Sequence, residues 1–86
     1  MKFMAIFKIK NPADLQAAAK KRVELPEFEM KSITKAFGII GQTKGFQILE
    51  VEDEKELAKL AYYYLPEVRF KFLPLLEVEE ITALMT

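Results

Sequence analysis

Residues 33–53 read ITKAFGIIGQTKGFQILEVED, with two apolar runs, Ile33 to Ile40 and Phe46 to Val51, flanking Gly41-Gln42-Thr43-Lys44-Gly45. Two strand-length apolar runs around a glycine-bounded polar turn predict a β-hairpin. Asp53 and Glu56 then stand three apart, the spacing at which side chains cap a helix N-terminus, ahead of Leu57, Leu60, Ala61 and Tyr64 at helical intervals. A helix is therefore predicted from about Glu54 to Leu65, ending before Pro66, whose ring cannot continue it.

The flanks extend this pattern in both directions. Lys2 to Lys10 places Phe3, Ala5, Phe7 and Ile9 on one parity and Met4 and Ile6 on the other, as a strand apolar on both faces at its start does. Asn11 offers an acceptor to free helix N–H groups, Pro12 lacks the N–H that would go unused there, and Asp14 complements the positive helix end. A first helix is predicted from about Pro12 to Glu24, with Leu15, Ala18, Ala19, Arg22 and Val23 as its stripe. Towards the C-terminus, Arg69 to Glu77 (RFKFLPLLE) predicts a last strand. Pro74 inside it belongs at a sheet edge, because proline cannot donate to a ladder. Residues 27–31 and 78–86 receive no element.

The resulting order is β-α-β-β-α-β, the ferredoxin-like arrangement. It predicts an α+β fold in which a four-stranded antiparallel sheet of order 4-1-3-2 carries two helices on one face. That order puts the Pro74 strand at an edge and proline-free strands in the centre. Residues 1–86 are read as a single domain, with no internal repeat and no linker.

The chain holds 13 Lys plus Arg, 13 Asp plus Glu and no His, Cys or Trp, yet 51% of it is hydrophobic. Without His or Cys there is no Cys- or His-ligated zinc, no imidazole acid/base, no thiolate nucleophile and no disulfide. Ser32 is the only serine, and without histidine a conventional triad cannot be built. The acidic residues from Glu50 to Glu56 lack the spacing and glycine of an EF-hand loop, so no metal site is predicted. Balanced charge argues against nucleic acid as a partner. No apolar run approaches the ~18 residues of a membrane span and no signal-peptide core follows Lys2, which predicts a cytoplasmic protein. Eleven Lys and eleven Glu against one Asn and three Gln lean towards a heat-adapted composition.

A chain of 86 residues hides only roughly 60–65% of its unfolded surface, a deficit that small domains often offset by oligomerising. The parity of the strands says where. If Phe3, Phe7, Leu49, Val51, Phe70 and Phe72 pack under the helices, then Met4, Ile6, Phe46, Ile48, Leu73 and Leu75 lie on the face the helices leave open. Six such side chains form a larger apolar patch than a monomer usually shows to water, so they are the predicted interface of a homodimer.

Two resemblances bear on that face. Lys44-Gly45-Phe46-Gln47-Ile48-Leu49-Glu50-Val51 resembles the third-strand motif of RNA-recognition domains, K/R-G-F/Y-G/A-F-V-x-F/Y, with Ile48 and Val51 where that motif has aromatics. Those domains stack bases on the aromatics. A second resemblance covers nearly the whole chain. Lys2-Phe3-Met4-Ala5-Ile6-Phe7, the run from Gly45 to Asp53 leading into a helix, and Val68 to Glu77 are similar to small proteins of unassigned role in the dimeric α+β-barrel superfamily. That superfamily also holds muconolactone-isomerase-like and antibiotic-monooxygenase-like proteins. The resemblance implies two ferredoxin-like sheets paired face to face around a barrel-like interior. Catalytic members often rely on His or Trp, or on haem held by His, all missing here, and no cofactor is predicted.

Within such an interior, Lys8, Phe46, Glu50 and Lys71 are the candidate ligand-binding residues, with Glu50 as the candidate base and Lys8 or Lys71 as contacts for a small acidic or carbonyl ligand. The competing reading makes these charges interface ion pairs, or leaves Lys8 at the rim with its ammonium in water. Three functions follow in order of preference: a homodimeric small-molecule binding or interaction module using the sheet-sheet interior, a cofactor-independent isomerase- or monooxygenase-like enzyme there, and an RNA-binding domain.

Overall fold

In the computed structural model, which describes residues 1–28 and 30–85, the chain runs through β1 (Lys2–Ile9), a 3-10 turn (Pro12–Asp14), α1 (Leu15–Val23), β2 (Met30–Ser32), β3 (Phe37–Gly38), β4 (Lys44–Val51), α2 (Glu54–Tyr64), β5 (Val68–Leu75) and α3 (Val78–Met85). Residues 29 and 86 belong to the two stretches left without an element and lie outside the described residues. The central pair is β1 with β4, antiparallel, Phe3 opposite Leu49 and Ile6 opposite Phe46. On its other side β1 pairs with β5, Ala5 opposite Phe72 and Phe7 opposite Phe70.

The α+β class is the predicted one and the arrangement is roughly ferredoxin-like, but strand count and order depart from the expected four strands in order 4-1-3-2. Among the described residues the sheet has five strands along the path β2-β4-β1-β5, with β3 also on β4. The expected single strand from Ile33 to Ile40 does not form. Ser32 pairs with Leu49 and Phe37 with Phe46, so residues 33–36 must fit opposite only Gln47 and Ile48. Side chains stitch the excess chain down. The Thr34 hydroxyl accepts from the Ile48 N–H (3.1 Å), and the Gln47 amide donates to the Ser32 hydroxyl (3.0 Å) and the Thr34 carbonyl (3.1 Å). Hydroxyl residues offer this local alternative to a ladder, and the extra residues break the edge as a bulge does. Ile39 and Ile40 fall in the turn, where Gly41 takes a positive φ of 81° and Ile40 is fully exposed.

The helices start as their sequences dictate: the Asn11 side chain accepts from the Ala13 N–H (3.0 Å) and the Asp53 carboxylate from the Lys55 N–H (2.9 Å). Their packing differs. Leu57, Leu60 and Tyr64 of α2 are buried against Phe3, Ala5, Leu49, Val51 and Val68, whereas α1 buries only Ala18 of its stripe and leaves Val23 87% exposed. A methyl group fills little volume, so α1 adds little to the core. The segment 78–86, unassigned from sequence, is helical over Val78–Met85 and buries none of its residues. β5 pairs only with β1, so Pro74 sits on an edge strand.

Gly45 is required by contact rather than by φ. A Cβ there would overlap the Phe37 carbonyl oxygen and the Phe7 ring. Gly45→Ala is therefore expected to cost about 1–3 kcal/mol as an overpacked core position does, read as a lowered urea midpoint; Gly38→Ala, with open space around its Cβ, serves as the control.

Candidate functional site

The register fixes where each predicted site residue stands. Met4 lies opposite both Ile48 and Leu73, Ile6 opposite both Phe46 and Lys71, and Leu75 opposite Lys2. All six predicted interface residues therefore share the face away from α1 and α2, with Phe37 stacked on Phe46 (centroids 5.5 Å apart) as a seventh member that strand parity missed. Only the pairing of β3 with β4 brings Phe37 there.

Within one protomer the register does not bring Lys8 and Glu50 of the predicted cluster together. Lys8 pairs with Lys44 and Arg69, while Glu50 pairs with Lys2 at the far end, six positions along β4. At about 3.3 Å per residue the two ends lie roughly 20 Å apart. Lys2 is itself engaged, donating to Glu77 at 2.8 Å. That contact is the main cause of a raised Lys2 pKa and a lowered Glu77 pKa, and Glu50 adds a smaller attraction to Lys2. The other end carries Lys8, Lys44 and Arg69 side by side with no ion pair among the described residues. Like charges opposite each other across strands repel.

The opposite face holds a feature that strand parity gave no sign of. A cavity of ≈ 500 Å³ opens between α1, α2, the residues Leu25, Pro26, Phe28 and Met30, and the sheet. Its walls are largely apolar, with a group of rings among them: Phe70 lies 6.0 Å from Phe7 and 5.4 Å from Tyr64, centroid to centroid. Among the described residues the polar groups on its lining come from Arg22, Ser32, Gln47 and Tyr64, and Arg22 is the one formal charge. Tyr64 is 8% exposed, and burial pushes its phenol pKa up, while Arg22 pulls the other way. The sequence signal was the alanine stripe of α1, too small to reach the sheet.

Residues 1–86 match the family described as Domain of unknown function (DUF3303). The chain belongs to that family. No curated protein matches the sequence. Among the described residues of this family member no helix is long and apolar enough to cross a membrane, and no cluster of acidic side chains has the geometry to hold a metal ion.

The cleft is held at one end by a clamp from α1 to the α2-β5 turn. Lys21 donates to the Leu65 carbonyl (2.9 Å) and to Glu67 (2.7 Å), and the Tyr63 hydroxyl donates back to the Lys21 carbonyl (2.5 Å). Tyr63, which the helical stripe pointed away from the core, is thus packed against Phe28 and the end of α1. The hydrogen bond from Lys21 holds the Glu67 carboxyl below its ordinary value. A carboxylate depressed in the folded state contributes stability in full above its unfolded pKa and loses it as pH falls through the folded one. The unfolding midpoint of the wild type is accordingly expected to exceed that of Glu67→Gln at neutral pH, with the gap closing on acidification below the ordinary glutamate range. A gap independent of pH would remove the clamp from the account.

Proposed function

We propose that this protein is a homodimeric small-molecule binding module that assembles through the sheet face its own helices leave open. The observation that carries the assembly is surface. The chain exposes 6656 Å², whereas a compact monomer of 9.9 kDa exposes roughly 5,200 Å². The excess, on the order of 1,400 Å², is larger than the ~800 Å² that each partner buries in a standard interface. The radius of gyration tells the same story, 14.3 Å against about 12 Å for a compact chain of this length.

Charge complements shape. The unpaired row of Lys8, Lys44 and Arg69 occupies one end of the open face, and α3, with Glu79 and Glu80 in its first turn and exposed Ile81, Leu84 and Met85 beyond, follows the other end. A two-fold pairing with strands antiparallel lays the acidic, apolar α3 of each copy across the cationic end of the other, and buries Ile6, Phe46 and Ile48 at the centre. Isologous contacts of this kind close on themselves.

The enzyme reading with Glu50 as base is less well supported, because Lys2, the cation opposite Glu50 in the same protomer, is held by Glu77. RNA binding draws on the cation row beside Phe46, but one face of that ring is occupied by Phe37. Light scattering at micromolar concentration is expected to give twice the 9.9 kDa protomer mass. Phe46→Asp is expected to raise the dissociation constant roughly a hundredfold or more, since an unpaired buried charge costs about 3 kcal/mol or more. Reversal of Glu79 and Glu80 to Lys should weaken the dimer in a salt-dependent way. A clean wild-type monomer would sink the assembly, and tight, salt-dependent retention on single-stranded RNA lost in Phe46→Ala would put the RNA reading in its place.

A further inference from the structure

We propose that the ligand is held not between the sheets but in the cleft under α1, and that it is a small aromatic molecule carrying one carboxylate or comparable anionic group. This rests on the binding half of the proposed function and not on the assembly, since every wall of the cleft comes from one protomer.

Three independent observations point to such an occupant. The first is the cleft itself. At ≈ 500 Å³ and open to solvent along Leu15, Ala19, Arg22 and Leu25, it runs beside the core of this small domain. Small-molecule sites occupy about 300–1,000 Å³ and have mainly apolar and aromatic walls with a few polar groups that fix orientation. Phe7, Phe28, Leu49, Leu60 and Phe70 supply such walls.

The second is Tyr64. Its ring is buried and lines the cleft, and since no buried side-chain oxygen or nitrogen among the described residues lacks a partner, its unbonded hydroxyl stands at accessible surface. A phenol with its ring in the cleft and its hydroxyl accessible is free to donate to an acceptor on a bound molecule. The third is charge. Arg22 is the only formal charge on the lining and makes no ion pair among the described residues. Its near neighbour Lys21 is consumed by Leu65 and Glu67, leaving the guanidinium as the one cation of the last turn of α1 that faces the cleft. A guanidinium at the mouth of an apolar cleft, beside a phenol with a free donor, is matched to an anionic group on a planar apolar body: two charge-assisted hydrogen bonds at one end, ring contacts along the rest. Gln47 adds a constraint. Its amide nitrogen is committed to Ser32 and Thr34, so it offers the ligand an acceptor rather than a donor.

Naphthoate and its neutral counterpart naphthamide, titrated into the full chain by calorimetry with chemical-shift mapping, test this directly. Naphthoate is expected to bind and to shift the signals of Phe7, Tyr64 and Phe70, and naphthamide to bind at least about tenfold more weakly. Arg22→Gln, a change at an exposed position, should weaken naphthoate alone and bring the two affinities together. Tyr64→Phe keeps the ring and should weaken naphthoate several-fold. Ala19→Trp, also at an exposed lining position, should block both. Failure of naphthoate to bind the wild type, equal affinities for the two probes, or a preference undiminished in Arg22→Gln would overturn the assignment. The Phe46→Asp variant separates the two proposals: naphthoate binding retained by a monomer supports the cleft without the dimer, and a wild-type dimer that ignores naphthoate fails the cleft while leaving the assembly intact.

Discussion

Everything in this molecule hangs on the register of β1 against β4, Phe3 opposite Leu49 and Met4 opposite Ile48. Side chains alternate across a strand, so a slip of one residue would exchange the faces of the whole sheet. In the observed register Phe3, Ala5, Leu49 and Val51 meet the helices and Met4, Ile6, Phe46 and Ile48 turn away. Both sets are apolar. The register therefore does not choose between a wet and a dry face, as it does in most open antiparallel sheets; it chooses which apolar face this chain covers itself and which it leaves uncovered. Gly45 helps pin that choice, because only a residue without a side chain fits between the Phe37 carbonyl and the Phe7 ring.

The covered face is covered unequally, and the cause lies in side-chain volume. α2 presents Leu57, Leu60 and Tyr64 to the sheet, while α1 presents Ala18. Contact between α1 and the sheet is too thin to position the helix by packing alone. Polar bonds at its C-terminal end do that work: Lys21 with the Leu65 carbonyl and Glu67, and the Tyr63 hydroxyl with the Lys21 carbonyl. Such an arrangement keeps the helix oriented while leaving space beneath it, and the space is bounded by aromatic rings that α2 and the sheet hold in place.

How far the sequence could be read follows from what kind of information each feature carries. Periodicity located β1, β4, β5 and α2 to within a residue or two, because long apolar patterns report burial directly. Parity separated the faces correctly, and Pro74 marked an edge strand. The second strand was misread because the run from Ile33 to Ile40 looks like a strand by hydrophobicity. Its pairing is instead interrupted by hydroxyl and amide side chains, Ser32, Thr34 and Gln47, that bond to backbone and to each other in ways no apolar pattern encodes. Phe37 and the separation of Lys8 from Glu50 were hidden for a related reason: both depend on cross-strand register, which strand patterns alone leave open. The cleft was hidden for a different one. Its presence follows from what α1 lacks, and a stripe of alanines reads as a buried face whether or not anything larger sits beneath it.

Charge draws the last distinction between the two faces. On the open face the cations stand in a row, Lys8, Lys44 and Arg69, opposite one another and unpaired. That is a repulsive arrangement whose relief needs several negative charges spread over the width of three strands, which suits a second protein surface better than a small molecule. In the cleft the charge is single, beside one free phenol donor and surrounded by rings. One anionic group on an apolar body satisfies it. The same zero net charge thus resolves into a broad field on one side and a point on the other. With no His or Cys in the chain, specificity on either side must come from such placement of ordinary charges and rings rather than from reactive or metal-binding side chains.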